Sequence, residues 1–127
     1  MTRQQRYLRD ALQRVQGRNG KPESKIYGGL CHTFPILLLT NGLCQTLALI
    51  EDKKTGATPR AAAYQAIRSD IAATLGMPEA RLLADVQSAP LGEYVRYTRT
   101  LLDAWVYYKR FAVSILGVEA DERGEGS

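Results

Sequence analysis

Between Leu91 and Leu116, Tyr94, Thr98, Leu101, Trp105, Tyr108, Ala112 and Ile115 recur at steps of four and three. That spacing predicts one face of a long helix. Val95, Leu102, Val106 and Val113 widen the apolar face, as a core helix of a bundle requires. Arg96, Arg99, Asp103, Tyr107 and Arg110 fall on another side. At about 1.5 Å per residue the helix would run roughly 40 Å. Trp105 lies on the apolar face and is expected in the core rather than on a base-stacking surface.

Earlier segments read the same way. Thr2 is placed to cap a helix running to about Gln16, with Leu8, Ala11, Leu12 and Val15 inward and Arg3, Arg6, Gln13 and Arg14 largely opposite. Gly17–Lys21 reads as a connection. Pro22 suits the first turn of a second helix, weakened at Gly28-Gly29, and Pro35 predicts a kink or a fresh start. From Ile36 to Lys54 the pattern is ambiguous. Asn41-Gly42 between apolar runs is a hairpin signal, but the flanks are rich in Leu and Ala. Leu37, Thr40, Cys44, Leu47 and Ile50 fit a helix, with Gly42 admitting a close neighbour. Lys53–Ala57 is a polar loop. Thr58-Pro59 starts another helix, with Tyr64, Ile67, Ile71 and Leu75 inward and Gly76 as its stop. A short helix follows over Glu79–Gln87, and Pro90 opens the long one. Every well-patterned segment is helical, so the expected fold is all-α, a bundle of about five or six helices.

Charge adds a direction. The 127 residues carry a net charge of +4, and the ten after Gly117 hold four acids and one Arg, which leaves +7 on the body. We expect residues 1–117 to form one domain and 118–127 a disordered acidic tail, almost without apolar residues from Glu119 onward. A basic body favours an anionic partner. The run Phe34–Ile50 approaches membrane-spanning length, but Thr40, Asn41, Gly42, Gln45 and Thr46 interrupt it, so a buried central helix is expected. No secretion signal opens the chain, and a reducing cytoplasm is the simplest compartment.

Catalytic chemistry finds little support. Cys31, His32 and Cys44 offer three ligands at most, at poor spacing for zinc. There is no phosphate loop, no nucleophile elbow and no distinct carboxylate pair. The cations are more suggestive. Arg96, Arg99 and Arg110 beside Tyr107 suit phosphates and exposed bases. Lys109 and Arg110 either grip phosphate or complement the negative helix end. Lys53, Lys54 and Arg60 surround a loop beside a helix start, a natural phosphate site and equally an ordinary solvated loop. Asn41 and Gln45, one helical turn apart, either bridge subunits or cap a neighbouring helix.

Two stretches carry a family resemblance: Leu37–Ile50, LLLTNGLCQTLALI, and Tyr97–Ala112, YTRTLLDAWVYYKRFA. With an opening helix and a short acidic tail, they resemble the small α-helical subunit of the type III-B CRISPR effector, the fifth subunit of the Cmr complex. In that family a central helix carries Asn-Gly-Leu, then Gln and an apolar Leu-Ala; here these are Asn41, Gly42, Leu43, Gln45, Leu47 and Ala48. Its last helix carries Tyr, Thr, Leu and Trp and ends Lys-Arg-Phe-Ala; here these are Tyr97, Thr98, Leu101, Trp105, Lys109, Arg110, Phe111 and Ala112. Two features depart from the pattern: Val-Tyr-Tyr follows Ala104-Trp105, and Cys44 stands where a small Gly is common. The resemblance implies a non-catalytic brick of antiviral defence, without cofactor, metal, membrane or small-molecule substrate. It would stack in more than one copy beside the other Cmr subunits and help hold the crRNA–target RNA duplex, while other subunits cleave.

Two other readings stand beside it. One is a protein–protein adaptor bundle without nucleic-acid contact. The other is a helix-turn-helix regulator resting on the Gly76–Pro78 turn, in which only Arg81 is placed to read bases.

Overall fold

The computed structural model describes residues 1–120. Among them are six α-helices and no strand: α1 (Arg3–Gln16), α2 (Ser24–Asn41), α3 (Leu43–Lys53), α4 (Pro59–Leu75), α5 (Leu82–Gln87) and α6 (Leu91–Ser114), with a 3-10 turn at Glu79–Arg81 before α5. The all-α bundle with a long last helix is therefore as the periodicity predicts. Several ends are set by their caps. The Thr2 side chain accepts from the Gln5 N–H while the Gln5 side chain accepts from the Thr2 N–H, a reciprocal box. Thr58 accepts from the Ala61 N–H ahead of Pro59, and Gly76 closes α4 in the left-handed conformation.

The middle of the chain departs from expectation. Helix α2 runs through Gly28-Gly29 and through Pro35, and the break falls at Gly42 instead, where φ is 84°. The expected helix Ile36–Lys54 is thus the end of α2 and all of α3. Gly42 serves conformation rather than proximity, since a Cβ there would meet only the Tyr94 hydroxyl, at 3.6 Å. Side chains from elsewhere complete the corner. Buried Thr46 donates to the Gly42 carbonyl at 2.7 Å, and the Tyr94 hydroxyl accepts from the Cys44 N–H at 3.0 Å, acting as a cap supplied by α6. Asn41 and Gln45 fall on opposite sides of this break, both exposed, so they are not a pair on one helix face.

Close approach occurs at Gly28. A Cβ there would sit 2.7 Å from the Val118 side chain, so only glycine lets the chain after α6 lie against α2. The Val118 N–H donates to the Ala112 carbonyl, and its own carbonyl meets His32 Nε2 at 2.8 Å. Packing therefore reaches one residue past the expected domain edge at 117. Residues 121–127 of the expected tail lie outside the described part.

Helix α6 packs against α1 on one side and α2 on the other, and also meets α4. Trp105 is fully buried, 4.7 Å from Phe34 and stacked at 4.1 Å on Tyr108. The apolar face of α6 is narrower than its sequence suggests: Val95, Val106 and Val113 are exposed, as are Leu8 and Leu12 of α1. Their neighbours Leu101, Ala104, Trp105, Tyr108 and Ala112 take the buried positions, because α1 and α2 grip α6 from two sides and leave its outer half to solvent.

Candidate nucleic-acid interface

The outer face of α6 carries the expected stripe. Arg96, Arg99, Asp103 and Arg110 are exposed and Tyr107 is half-buried. The cations differ in what holds them. The Arg96 guanidinium grips Glu93 with two hydrogen bonds, 2.8 and 3.0 Å, and lies over the Tyr97 ring at 5.2 Å. That bond holds the Glu93 carboxyl below its ordinary range. Arg99 and Arg110 form no ion pair among the described residues. Lys109 is exposed too, and it flanks the line of Val106 and Val113 on the side opposite Arg110.

The second group of expected phosphate ligands lies elsewhere. Lys53 and Lys54 end α3, about 15 Å along that helix from the Tyr94 contact that ties its start to α6. Lys54 reaches Glu51 at 3.7 Å. Arg60 is exposed at the start of α4. The seven cations thus form two groups on different parts of the bundle, with Arg96 partly diverted from the first.

A third basic region escaped the sequence reading. Arg3, Arg6 and Arg14 of α1 and Arg96 of α6 line a cleft of about 420 Å³, whose far wall is the end of α4 around Thr74. Arg3, Arg6, Tyr7, Asp10 and Arg14 repeat at steps of three, four and one, so they share a helix face. That spacing was the available signal; it reads as an ordinary solvated side until α6 is seen to supply the opposite wall.

Beneath the cleft sits a buried polar network. Arg14 donates to the Tyr108 hydroxyl at 2.9 Å, and the Tyr27 hydroxyl donates to Asp70 at 2.5 Å. Burial raises the Asp70 carboxyl to about 6, although Tyr27, Arg18 and Arg14 all pull the other way. Burial likewise pushes Tyr108 up to about 12 and the Cys31 thiol upward. Cys31 is a buried core residue and His32 spends its Nε2 on the Val118 carbonyl. Among the described residues no three His, Cys, Asp or Glu side chains gather as metal ligands. No helix among them is long and apolar enough to cross a membrane.

The family model of the CRISPR-associated protein Cas_Cmr5 matches residues 3–115, from the start of α1 to just past α6. The chain belongs to the Cmr5 family. It is 30% identical over 117 residues to the CRISPR system Cmr subunit Cmr5 of Thermus thermophilus, across 91% of this chain and 96% of that protein. The X-ray crystal structure of a CRISPR-associated Cmr5 family protein from Thermus thermophilus shares the fold, with a TM-score of 0.78 at 28% identity, over 91% of this chain and 98% of that one. The Cmr5 match spans both stretches that carried the resemblance, the α6 stripe and the cleft.

Proposed function

We propose that this Cmr5 family chain is a non-catalytic structural subunit of an RNA-guided, RNA-targeting CRISPR effector. It assembles with the other Cmr subunits and with further copies of itself, and it helps hold the crRNA–target RNA duplex. The observation that carries this reading is the exposed stripe of α6, where Arg99 and Arg110 stand without carboxylate partners among the described residues, on a body of net charge +7.

The test uses the assembled effector, because a subunit of this kind draws most of its grip from its neighbours. Arg99→Gln/Arg110→Gln is expected to assemble normally and to bind target RNA with a salt slope reduced by about 0.7–0.9 per lost phosphate contact. Unchanged affinity and slope would remove the stripe from the RNA interface.

The adaptor reading keeps one specific support. Leu91, Val95, Val106 and Val113 are exposed along one side of α6, and Ile36 and Leu39 are exposed on α2. Those side chains favour a protein partner over a phosphate backbone. Arg99 and Arg110 lie within about 60° of Val106 and Val113 around the helix, so the protein and RNA readings compete for one face.

A further inference from the structure

The α1–α6 cleft differs from the stripe in kind, because it is concave. Its volume of about 420 Å³ falls in the range of small-ligand sites and is far too small for a duplex. Its chemistry is set by four guanidinium groups against one carboxylate. That carboxylate, Asp10, is already bonded to Arg9 at 3.0 Å. Arg3 and Arg6 stand exposed at the mouth and make no ion pair among the described residues. Arg14 is fixed at the floor by Tyr108, with Thr74 at 3.5 Å. On one wall the Arg96 guanidinium carbon lies 5.2 Å over the Tyr97 ring, and Tyr7 lines the other. The start of α1 adds a partial positive charge, while the carbonyl end of α4 opposes it; Arg3, Arg6 and Arg14 keep the cleft positive even though Arg96 is paired with Glu93.

A site combining a fixed Arg14, Arg3 and Arg6 unpaired among the described residues, and tyrosine rings, closed to a duplex, selects for a ligand with both phosphate and a flat aromatic surface. We infer that this cleft binds one unstacked nucleotide: its phosphate between Arg3, Arg6 and Arg14, its base against Tyr7 or the Arg96–Tyr97 pair. The nucleotide comes either from a single-stranded segment of RNA or from a free nucleoside phosphate. This inference does not depend on the duplex-holding role, because it concerns a different surface and a different form of the ligand.

The isolated folded chain suffices for the test. A fluorescently labelled oligouridylate is titrated by anisotropy, with uridine 5′-monophosphate, inorganic phosphate and a blunt RNA duplex as competitors. The parent is expected to bind the single strand in preference to the duplex. Arg3→Gln/Arg6→Gln, both at exposed positions, is expected to weaken single-strand binding about tenfold at ~0.1 M salt and to lower the salt slope by about 1.4. Arg81→Gln, outside the cleft and paired with Asp85, is expected to leave that binding unchanged. Competition by uridine monophosphate assigns the site to a free nucleotide, and its failure to compete assigns it to a strand; either supports the inference. Three results overturn it: duplex competing as well as single strand, inorganic phosphate competing as well as the nucleotide, or the Arg3/Arg6 variant binding within about twofold of the parent.

Discussion

Helix α6 has two seams, and they are built from opposite materials. Toward α2 the contact is apolar and closed: Trp105 meets Phe34, and Gly28 admits Val118 with no room for a methyl group. Toward α1 it is polar and open: Arg14 spans to Tyr108, and a cleft remains above it. Apolar side chains interdigitate without regard to direction, so a seam made of them can fill completely. Guanidinium and phenol groups must aim at partners, and the geometry that satisfies them leaves space. One seam therefore carries stability, and the other offers chemistry at its mouth.

The strongest test strikes the closed seam. Trp105→Ala is expected to destabilise by about 3–5 kcal/mol, read as a fall in denaturation midpoint at constant m-value. A melting temperature within a degree or two of the parent would place Trp105 outside the core and dissolve the contrast. Next comes the open seam, where Tyr108→Phe removes the acceptor of the Arg14 hydrogen bond but keeps the ring stacked on Trp105. We expect a loss of about 1–2 kcal/mol. A loss equal to that of Trp105→Ala would mean that the polar seam bears as much of the fold as the apolar one.

The third test uses pH. Asp70 is held at about 6 in the folded chain against 3.8 for the free side chain. The folded state therefore binds this proton more readily than the unfolded state does. Its stabilising contribution is full below 3.8 and is lost as pH rises through 6. Stability from this group should rise by roughly 1 kcal/mol from pH 7 to pH 5. The groups around it are Tyr27 and Cys31 of α2, Arg14, Arg18, Tyr108 and Glu79. Comparison with Asp70→Asn isolates the effect: equal pH dependence in parent and variant would show that Asp70 does not titrate in this window.

The smallest global effect is expected at Gly28→Ala. Helix propensity favours Ala by about 1 kcal/mol, which offsets part of the cost of displacing Val118. Melting should move little, while the Val118 amide, bonded to Ala112, should exchange faster with solvent. Unchanged exchange at Val118 would show that the seam has slack.

These regions were unequally legible in the sequence. Caps were readable because each lies within a few residues of what it caps, as with Thr2 and Gln5 or Thr58 and Ala61. The break between α2 and α3 was not. Pro35 is the louder local signal, yet the break at Gly42 is held by Thr46 and by Tyr94, fifty positions away from the Cys44 amide it caps. The width of the apolar face of α6 was overread for a similar reason: periodicity shows which residues share a side, not how much of that side neighbours cover. On the candidate interface, the exposure of Arg99 and Arg110 followed from their distance from the Trp105 stripe. The cleft did not follow, because its two walls come from opposite ends of the chain.

That last circumstance bears on the order in which the molecule can form. Helix α6 is made after α1, α2 and α4, which all lean on it, and its Tyr94 completes the corner at Gly42. Until residues 91–118 emerge, Phe34 lacks Trp105, Arg14 lacks Tyr108 and Gly28 lacks Val118. Local helices can flicker early, but closure of the longest loops must wait for residues 91–118. On the ribosome, the contacts that join α1, α2 and α4 through α6 are therefore the late ones to form.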